Sequence, residues 1–146
     1  LDQQIAALDG LTDAESKAMK AKLEAIKGTN LKLFNANTST VLETLELGAS
    51  GYSGVMANFH PELYVKLCNI YKEDPTTARK IADFLTVASL IERQVYPVNA
   101  KYYQKSIGNF NSIVTRTRDI NELNATGVLE IEQLVRFTEE FEKNLK

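Results

Sequence analysis

The sequence predicts an α/β fold in which helix predominates. In the first sixty residues the hydrophobic periodicity gives the order helix, strand, helix, strand, and both strands are short. From Pro61 onward the apolar residues recur at helical spacing almost to the end of the chain. Two short strands cannot form a stable sheet alone, because their outer edges expose unpaired backbone groups. The sequence therefore predicts an architecture that is incomplete by itself.

A capping motif and a glycine delimit the first predicted helix. The run Thr12-Asp13-Ala14-Glu15 has the capping-box pattern, and Gly28 suits the left-handed conformation that ends a helix. These signals predict a helix over residues 13–27. The apolar run over residues 31–35 lies between turn-forming residues, and we expect it to be a buried strand.

The second helix and strand follow within twenty residues. Thr38 or Ser39 is expected to cap a helix that carries several leucines and ends at Gly48. In the glycine-rich stretch that follows, residues 48–55, the centre is short enough for a buried strand.

The second half is nearly all helix. A helix begins near Pro61, and Asp74-Pro75 is an N-cap and first-turn proline for a long helix through about Arg93. Pro97 marks a break. The remaining predicted elements are a short helix over residues 98–106, a loop over 108–119 and a closing amphipathic helix over 127–145.

Composition and charge exclude several classes of protein. The 146 residues include 17 basic and 19 acidic side chains, and because these are interspersed they form no basic footprint for nucleic acid. No apolar run approaches the roughly 18 residues of a membrane span. Cys68 is the single cysteine, so the chain can form neither an internal disulfide nor a cysteine-based metal site, and a reducing cytoplasm fits best. We expect no nucleic acid, no membrane and no metal as partners.

The first residues, Leu1-Asp2-Gln3-Gln4, lack a methionine and the basic and apolar regions of a signal peptide. This start is typical of a fragment or a processed chain.

Three single residues have reactive side chains. His60 is the only histidine, and its position before Pro61 favours a capping or surface role over catalysis. Cys68 lies on an apolar helical stripe, which favours a small buried hydrophobe over a reactive thiol. Lys32 alternates with apolar residues in a predicted strand, so it is either a desolvated, imine-forming lysine or, more often for this pattern, a lysine that extends outward.

The glycine-rich stretch 48–54 is not a nucleotide loop. It lacks the lysine and hydroxyl residue of a P-loop and the G-x-G-x-x-G spacing of a dinucleotide site. The other interpretation is a barrel strand whose glycines let a small substrate lie against the backbone, with hydroxyl groups available from Tyr52 or Ser53.

The stretch Leu47–Asn58, LGASGYSGVMAN, with the strand and helix before it and Pro61 after it, resembles the dihydrodipicolinate synthase and N-acetylneuraminate lyase family. Pro97, Lys101, Gly108 and the final helix are similar to the helical extension at the C-terminus of that family. The resemblance covers about residues 28–146.

The resemblance implies a (β/α)8 TIM barrel, which needs about 250 residues. In that comparison this chain is the C-terminal portion. Residues 31–35 correspond to the seventh strand and residues 51–54 to the eighth, and six strands are missing. Residues 1–60 then form a partial barrel, and residues 61–146 form the last barrel helix and the C-terminal helical extension.

The family's chemistry, as the resemblance implies it, is a Schiff base between a lysine on the sixth strand and pyruvate or another 2-oxo acid. Counting back from Lys27-Gly28 places that lysine near Gly10, where the sequence reads Asp9-Gly10-Leu11-Thr12. The resemblance therefore assigns no catalytic residue to this chain. It implies no metal or organic cofactor, because the imine itself is the electron sink.

The part of the site that carries over is the wall of the substrate pocket, at the C-terminal ends of the two strands. The substrate-binding residues implied are Asn35, Ala36, Asn37, Tyr52, Ser53 and Gly54. Sialate lyases have an acidic pair just after the seventh strand, whereas this sequence has Thr38-Ser39, which argues against a sialic acid substrate. The partner implied is a 2-oxo acid such as pyruvate, once the barrel is completed.

Two hypotheses follow. In the first, the chain is part of a pyruvate-dependent aldolase or lyase, and the missing N-terminal half completes the barrel. In the second, it is a non-catalytic, mostly helical protein made from a barrel fragment, whose strand edges pair in a homo-oligomer.

Overall fold

The computed structural model describes the backbone of residues 2–145 and the side chains of residues 13–145. Six α-helices and two β-strands are formed in this part of the chain. In chain order they are α1 Asp2–Ala25, β1 Phe34–Asn35, α2 Val41–Glu46, β2 Gly51–Tyr52, α3 Pro61–Ile70, α4 Pro75–Glu92, α5 Val98–Ser106 and α6 Ala125–Lys143. Three 3-10 turns are added at Thr38–Thr40, Val55–Asn58 and Ile120–Glu122. The expected mostly helical α/β class is confirmed.

The first helix is longer than predicted. It runs without interruption through the motif at Thr12–Glu15, so the expected start at residue 13 is wrong, and it ends before Gly28, whose φ is +79°. The residues before Thr12 include the strong helix formers Ala6, Ala7 and Leu8, and one interior glycine costs only about 1 kcal/mol. Local helix propensity therefore outweighs the stop and start signals.

The two strands form a parallel pair in which Phe34 lies opposite Gly51 and Asn35 opposite Tyr52. Helix α2 connects them, as parallel strands require a crossover. Each strand has only two residues, shorter than the predicted 31–35 and 51–54.

The cap of the second helical segment also differs from the prediction. Asn37, and not Thr38 or Ser39, caps the 3-10 turn that leads into α2, because its Oδ1 accepts a hydrogen bond from the Ser39 amide at 3.0 Å. The asparagine one residue earlier has the same capping chemistry as a hydroxyl residue.

The helices of the second half agree closely with the sequence. Asp74 caps α4 through a 3.0 Å hydrogen bond from the Thr77 amide, and α5 has the predicted bounds. The last helix begins two residues earlier than expected because Asn124 is its cap. None of the helices formed by residues 2–145 is long and apolar enough to cross a membrane.

Helix α4 lies at the centre of the hydrophobic core. It packs against α2, α3 and α6, and α5 packs on α6. The core draws residues from both sides of residue 60. Its most completely buried aliphatic side chains include Leu42, Leu45, Leu67, Ile81, Leu85 and Ile131. A continuous core of this kind holds the two strands against the helical layer. The proposed division at residue 60 stays a prediction.

Candidate functional site

The C-terminal ends of β1 and β2 meet at one edge of the sheet. Beyond the paired residues, the Ser53 amide donates to the Asn35 carbonyl oxygen at 2.8 Å. The six sequence-predicted residues, 35–37 and 52–54, therefore lie side by side, and we call them the strand-end edge. In α/β proteins this is the edge at which ligands bind.

Gly54 allows the ends of the two strands to approach each other closely at this edge. A Cβ atom at this position would lie 2.7 Å from the Ala36 carbonyl oxygen and 2.1 Å from the Tyr52 hydroxyl oxygen. Both separations are too short for any side chain. The glycine is required here by space, since its backbone conformation is an ordinary extended one.

Asn35 organises the loop after β1. Its side chain is buried; Nδ2 donates to Thr40 Oγ1 and to Thr44 Oγ1, both at 3.0 Å, and Oδ1 accepts from the Asn37 amide at 2.9 Å. The amide group thus ties the strand end to α2. Asn35 shapes the edge from behind, while its neighbours Ala36 and Asn37 are exposed.

Tyr52 also points into the helical layer. Its hydroxyl group lies 2.9 Å from Thr38 Oγ1, which lies 2.8 Å from the Tyr64 hydroxyl group. The two tyrosine rings stack with centroids 4.1 Å apart and planes 7° apart. Burial raises the pKa of Tyr64, so this hydroxyl group stays protonated. The groups left open at the edge belong to Ala36, Asn37 and Ser53, because Gly54 has no side chain.

The opposite face of the sheet is uncovered in the part of the chain that the structure describes. Phe34, on this face, is 49% exposed, and Leu31, which lies before the strand, is 67% exposed, so the expectation of a buried strand over residues 31–35 is wrong for these two residues. Side chains alternate between the faces of a sheet, and only the face of Asn35 and Tyr52 meets the helices. Parallel sheets are normally covered on both faces, so other protein is expected to pack on this face.

The two other reactive candidates have ordinary environments. Lys32 is exposed, so it lacks the desolvation expected of an imine-forming lysine and extends outward. Cys68 is half buried beside the core, and burial raises the pKa of its thiol, which disfavours the thiolate.

His60 is not at the surface. It is 2% exposed and makes no side-chain cap for α3, so the expected capping or surface role is wrong. Its Nε2 lies 2.6 Å from Glu92 Oε1, and its Nδ1 lies 3.2 Å from the Tyr103 hydroxyl oxygen. Glu92 is 0% exposed, and burial raises its pKa although the contact with His60 opposes the rise. We call these three residues the buried triad.

The buried triad joins three segments that are distant in sequence. His60 begins α3, Glu92 ends α4 and Tyr103 lies on α5. Neither His60 Nε2 nor the Glu92 carboxylate has another hydrogen-bond partner among the described residues. Sequence reasoning missed Glu92, although it continues the buried stripe Ile81, Leu85, Ala88 at helical spacing. A carboxylate on such a stripe signals a buried partner.

Comparison with protein families identifies the chain. A family model described as the Dihydrodipicolinate synthetase family matches residues 4–120. The chain belongs to this family. Neither the curated proteins nor the solved structures contain a significant match.

Membership of the dihydrodipicolinate synthetase family indicates, at the level of the family, a lyase or aldolase-like function through a Schiff base. The matched residues include the complete strand-end edge and the buried His60 and Glu92. No group of three or more metal-ligating side chains is formed by the residues whose side chains are described.

Proposed function

We propose that the chain supplies the last two strands and the following helices of a pyruvate-dependent Schiff-base aldolase or lyase, similar to dihydrodipicolinate synthase. The observation that carries this proposal is the strand-end edge, where two parallel strands joined by a helix end side by side. In (β/α)8 barrels the substrate binds at that edge, and strand-end residues do the chemistry.

The geometry supports a barrel that other polypeptide completes. Parallel sheets are covered on both faces, yet here helices cover one face and Phe34 is exposed on the other. Among the described residues each strand pairs only with the other, so each has one open edge. Further strands on both sides would pair these edges and bury Phe34 in a barrel interior.

The imine-forming lysine comes from outside this chain in our proposal. The segment Asp9–Thr12, where the family resemblance places it, has no lysine. Lys32, the one lysine close to the strands in sequence, is exposed. A nucleophilic lysine needs a desolvated or electropositive site to lose its proton near neutral pH.

The strand-end edge binds the 2-oxo acid or its acceptor in this proposal. Ser53 offers a hydroxyl group and Asn37 an amide group, and Gly54 allows the two strand ends that carry them to lie close together. The buried Asn35 and the partly buried Tyr52 fix the positions of these groups through their hydrogen bonds to Thr40, Thr44 and Thr38. No metal or organic cofactor takes part, since the imine withdraws the electrons.

Borohydride trapping tests the proposal. The 146-residue chain and the native assembly purified through it are each incubated with pyruvate, reduced with borohydride and weighed by intact-mass spectrometry. We expect no pyruvyl adduct on the isolated chain and one adduct on the native assembly. An adduct on the isolated chain, or none on an assembly that contains further barrel strands, would contradict the proposal.

A second candidate follows from the same open sheet. The exposed Phe34 and the open edges favour self-association of a non-catalytic barrel fragment. Sedimentation of the purified chain separates the two proposals when combined with trapping. A native form that consists of this chain alone, as an oligomer without adduct, supports the second candidate and excludes the first.

A further inference from the structure

A cleft of about 430 Å³ lies outside the strand-end edge, and no residue of that edge lines it. Its walls come from the 3-10 turn and the start of α3, the turn before α5, α5 itself and the loop after α5. This volume lies in the range of small-molecule sites. The cleft is therefore large enough for a ligand of modest size.

One charged group lines the cleft. Lys101 is half buried, and its Nζ donates to the Val114 carbonyl oxygen, which holds the ammonium group in place. An ammonium group has three donors, so two remain for a ligand. No acidic side chain is found among the residues that line the cleft. Its charge therefore favours a monoanion.

A second donor, the Tyr96 hydroxyl group, lines the same cleft. Its oxygen accepts a 2.9 Å hydrogen bond from Asn58 Nδ2, and its own proton remains available for a ligand. Gln104 Nε2 donates to the Asn58 carbonyl oxygen at 2.6 Å, which holds Asn58 in place on the same wall of the cleft. The two donors suit the two oxygens of a carboxylate group.

The rest of the wall is apolar. Pro61 and Pro97 face the cleft together with the ring of Phe110, which is 46% exposed. These surfaces would bury a hydrocarbon or aromatic body. A phosphate group is a poor match, because it needs more cationic or backbone donors than one lysine and one tyrosine supply.

The buried triad makes this cleft rigid. His60 precedes Pro61 directly, Glu92 ends the helix that leads to Tyr96, and Tyr103 lies on the helix that carries Lys101. The 2.6 Å contact between His60 and Glu92 thus fixes the walls relative to one another. A site whose walls are already fixed loses less entropy when it binds.

We propose that this cleft binds a small organic monocarboxylate, with its carboxylate on Lys101 and Tyr96 and its apolar body against Phe110. The site is independent of imine formation. A ligand bound there contacts both the segment that follows β2 and the start of the C-terminal helices, so it would stabilise their junction.

The test uses phenylacetate as the probe and the neutral phenylacetamide as its match, with binding to the 146-residue chain followed by calorimetry and by amide NMR shifts. We expect saturable binding of phenylacetate, with shifts at the side-chain amides of Asn58 and Gln104. Phenylacetamide should bind about tenfold more weakly, the effect of losing one charge-assisted contact.

Variants assign the contacts. Lys101→Met should weaken phenylacetate binding about tenfold and leave phenylacetamide unchanged, whereas Lys101→Arg retains most of the affinity. Lys105→Met is the matched control, because this lysine is exposed on the same helix and does not line the cleft. Phe110→Ala should weaken both probes.

Three results would overturn this proposal: no saturable binding of phenylacetate to the folded chain, equal affinities for the two probes, or equal effects of Lys101→Met and Lys105→Met. Melting temperatures of the variants confirm that each is folded. None of these results depends on borohydride trapping. A failure of the carboxylate-binding proposal would therefore not affect the aldolase proposal, and a failure of the aldolase proposal would not affect carboxylate binding.

Discussion

Substitution of Glu92 is the most stringent test of the packing, since its carboxylate is fully buried and its Oε1 lies 2.6 Å from His60 Nε2. Glu92→Ala leaves His60 Nε2 buried without a partner among the described residues. Removing one partner of a buried pair typically costs about 3–5 kcal/mol. For a domain of this size that loss lowers the melting temperature by about 10–15 °C.

Glu92→Gln separates the charge from the hydrogen bond. The amide oxygen still accepts from His60, so we expect a change of at most about 1 kcal/mol at neutral pH. The exposed Glu139→Gln is the matched control for loss of one negative charge. The assay is urea unfolding followed by circular dichroism.

The pH dependence gives the same variant a second readout. Burial raises the pKa of Glu92 in the folded state. Its contribution to stability is therefore complete below the unfolded-state pKa and is lost as the pH rises through the folded-state pKa. As the pH rises above about 4, wild type should lose stability relative to Glu92→Gln. Parallel pH curves for the two proteins, or a Glu92→Ala effect no larger than the Glu139→Gln control, would refute this reasoning.

Two further predictions concern the strand-end edge, each measured by urea unfolding. Gly54→Ala places a methyl group 2.7 Å from the Ala36 carbonyl oxygen and should lower the free energy of unfolding by about 1–3 kcal/mol. Ser53→Ala, at the exposed neighbour, is the control and should change stability little. Equal effects of the two substitutions would contradict the close approach of the strand ends. Thr38→Val keeps the side-chain volume but leaves the hydroxyl groups of Tyr52 and Tyr64 without their shared partner, so we expect the free energy of unfolding to fall by about 2 kcal/mol. Ser39→Ala is the control. A loss no larger than that of the control would show that these hydrogen bonds do not stabilise the fold.

The helices of the second half could be predicted because local signals determine them. Asp74 and its following proline fix the start of α4, and the bounds of α5 follow from Pro97 and the residues after it. At the N-terminus two local signals competed, and propensity carried α1 through the capping motif. The position of a boundary is therefore reliable only where one signal acts alone.

The environment of single side chains could not be predicted in the same way. The burial of His60 depends on Glu92 and Tyr103, which lie 32 and 43 positions later in the sequence. Phe34 is apolar and in a strand, yet it is exposed, because the residues described here supply no cover for its face of the sheet. The apolar stripe of α4 signals that Glu92 has a buried partner, but the identity of that partner and the exposure of Phe34 depend on tertiary contacts.

The structure of the borohydride-reduced native assembly with pyruvate tests the central claim most directly. We expect other strands to pair with the open edges of β1 and β2, and the reduced pyruvyl group to lie on a lysine outside this chain, facing the strand-end edge beside Ala36 and Ser53. A pyruvyl group on a lysine within residues 13–145, or strands that stay unpaired while the adduct lies elsewhere, would contradict the account.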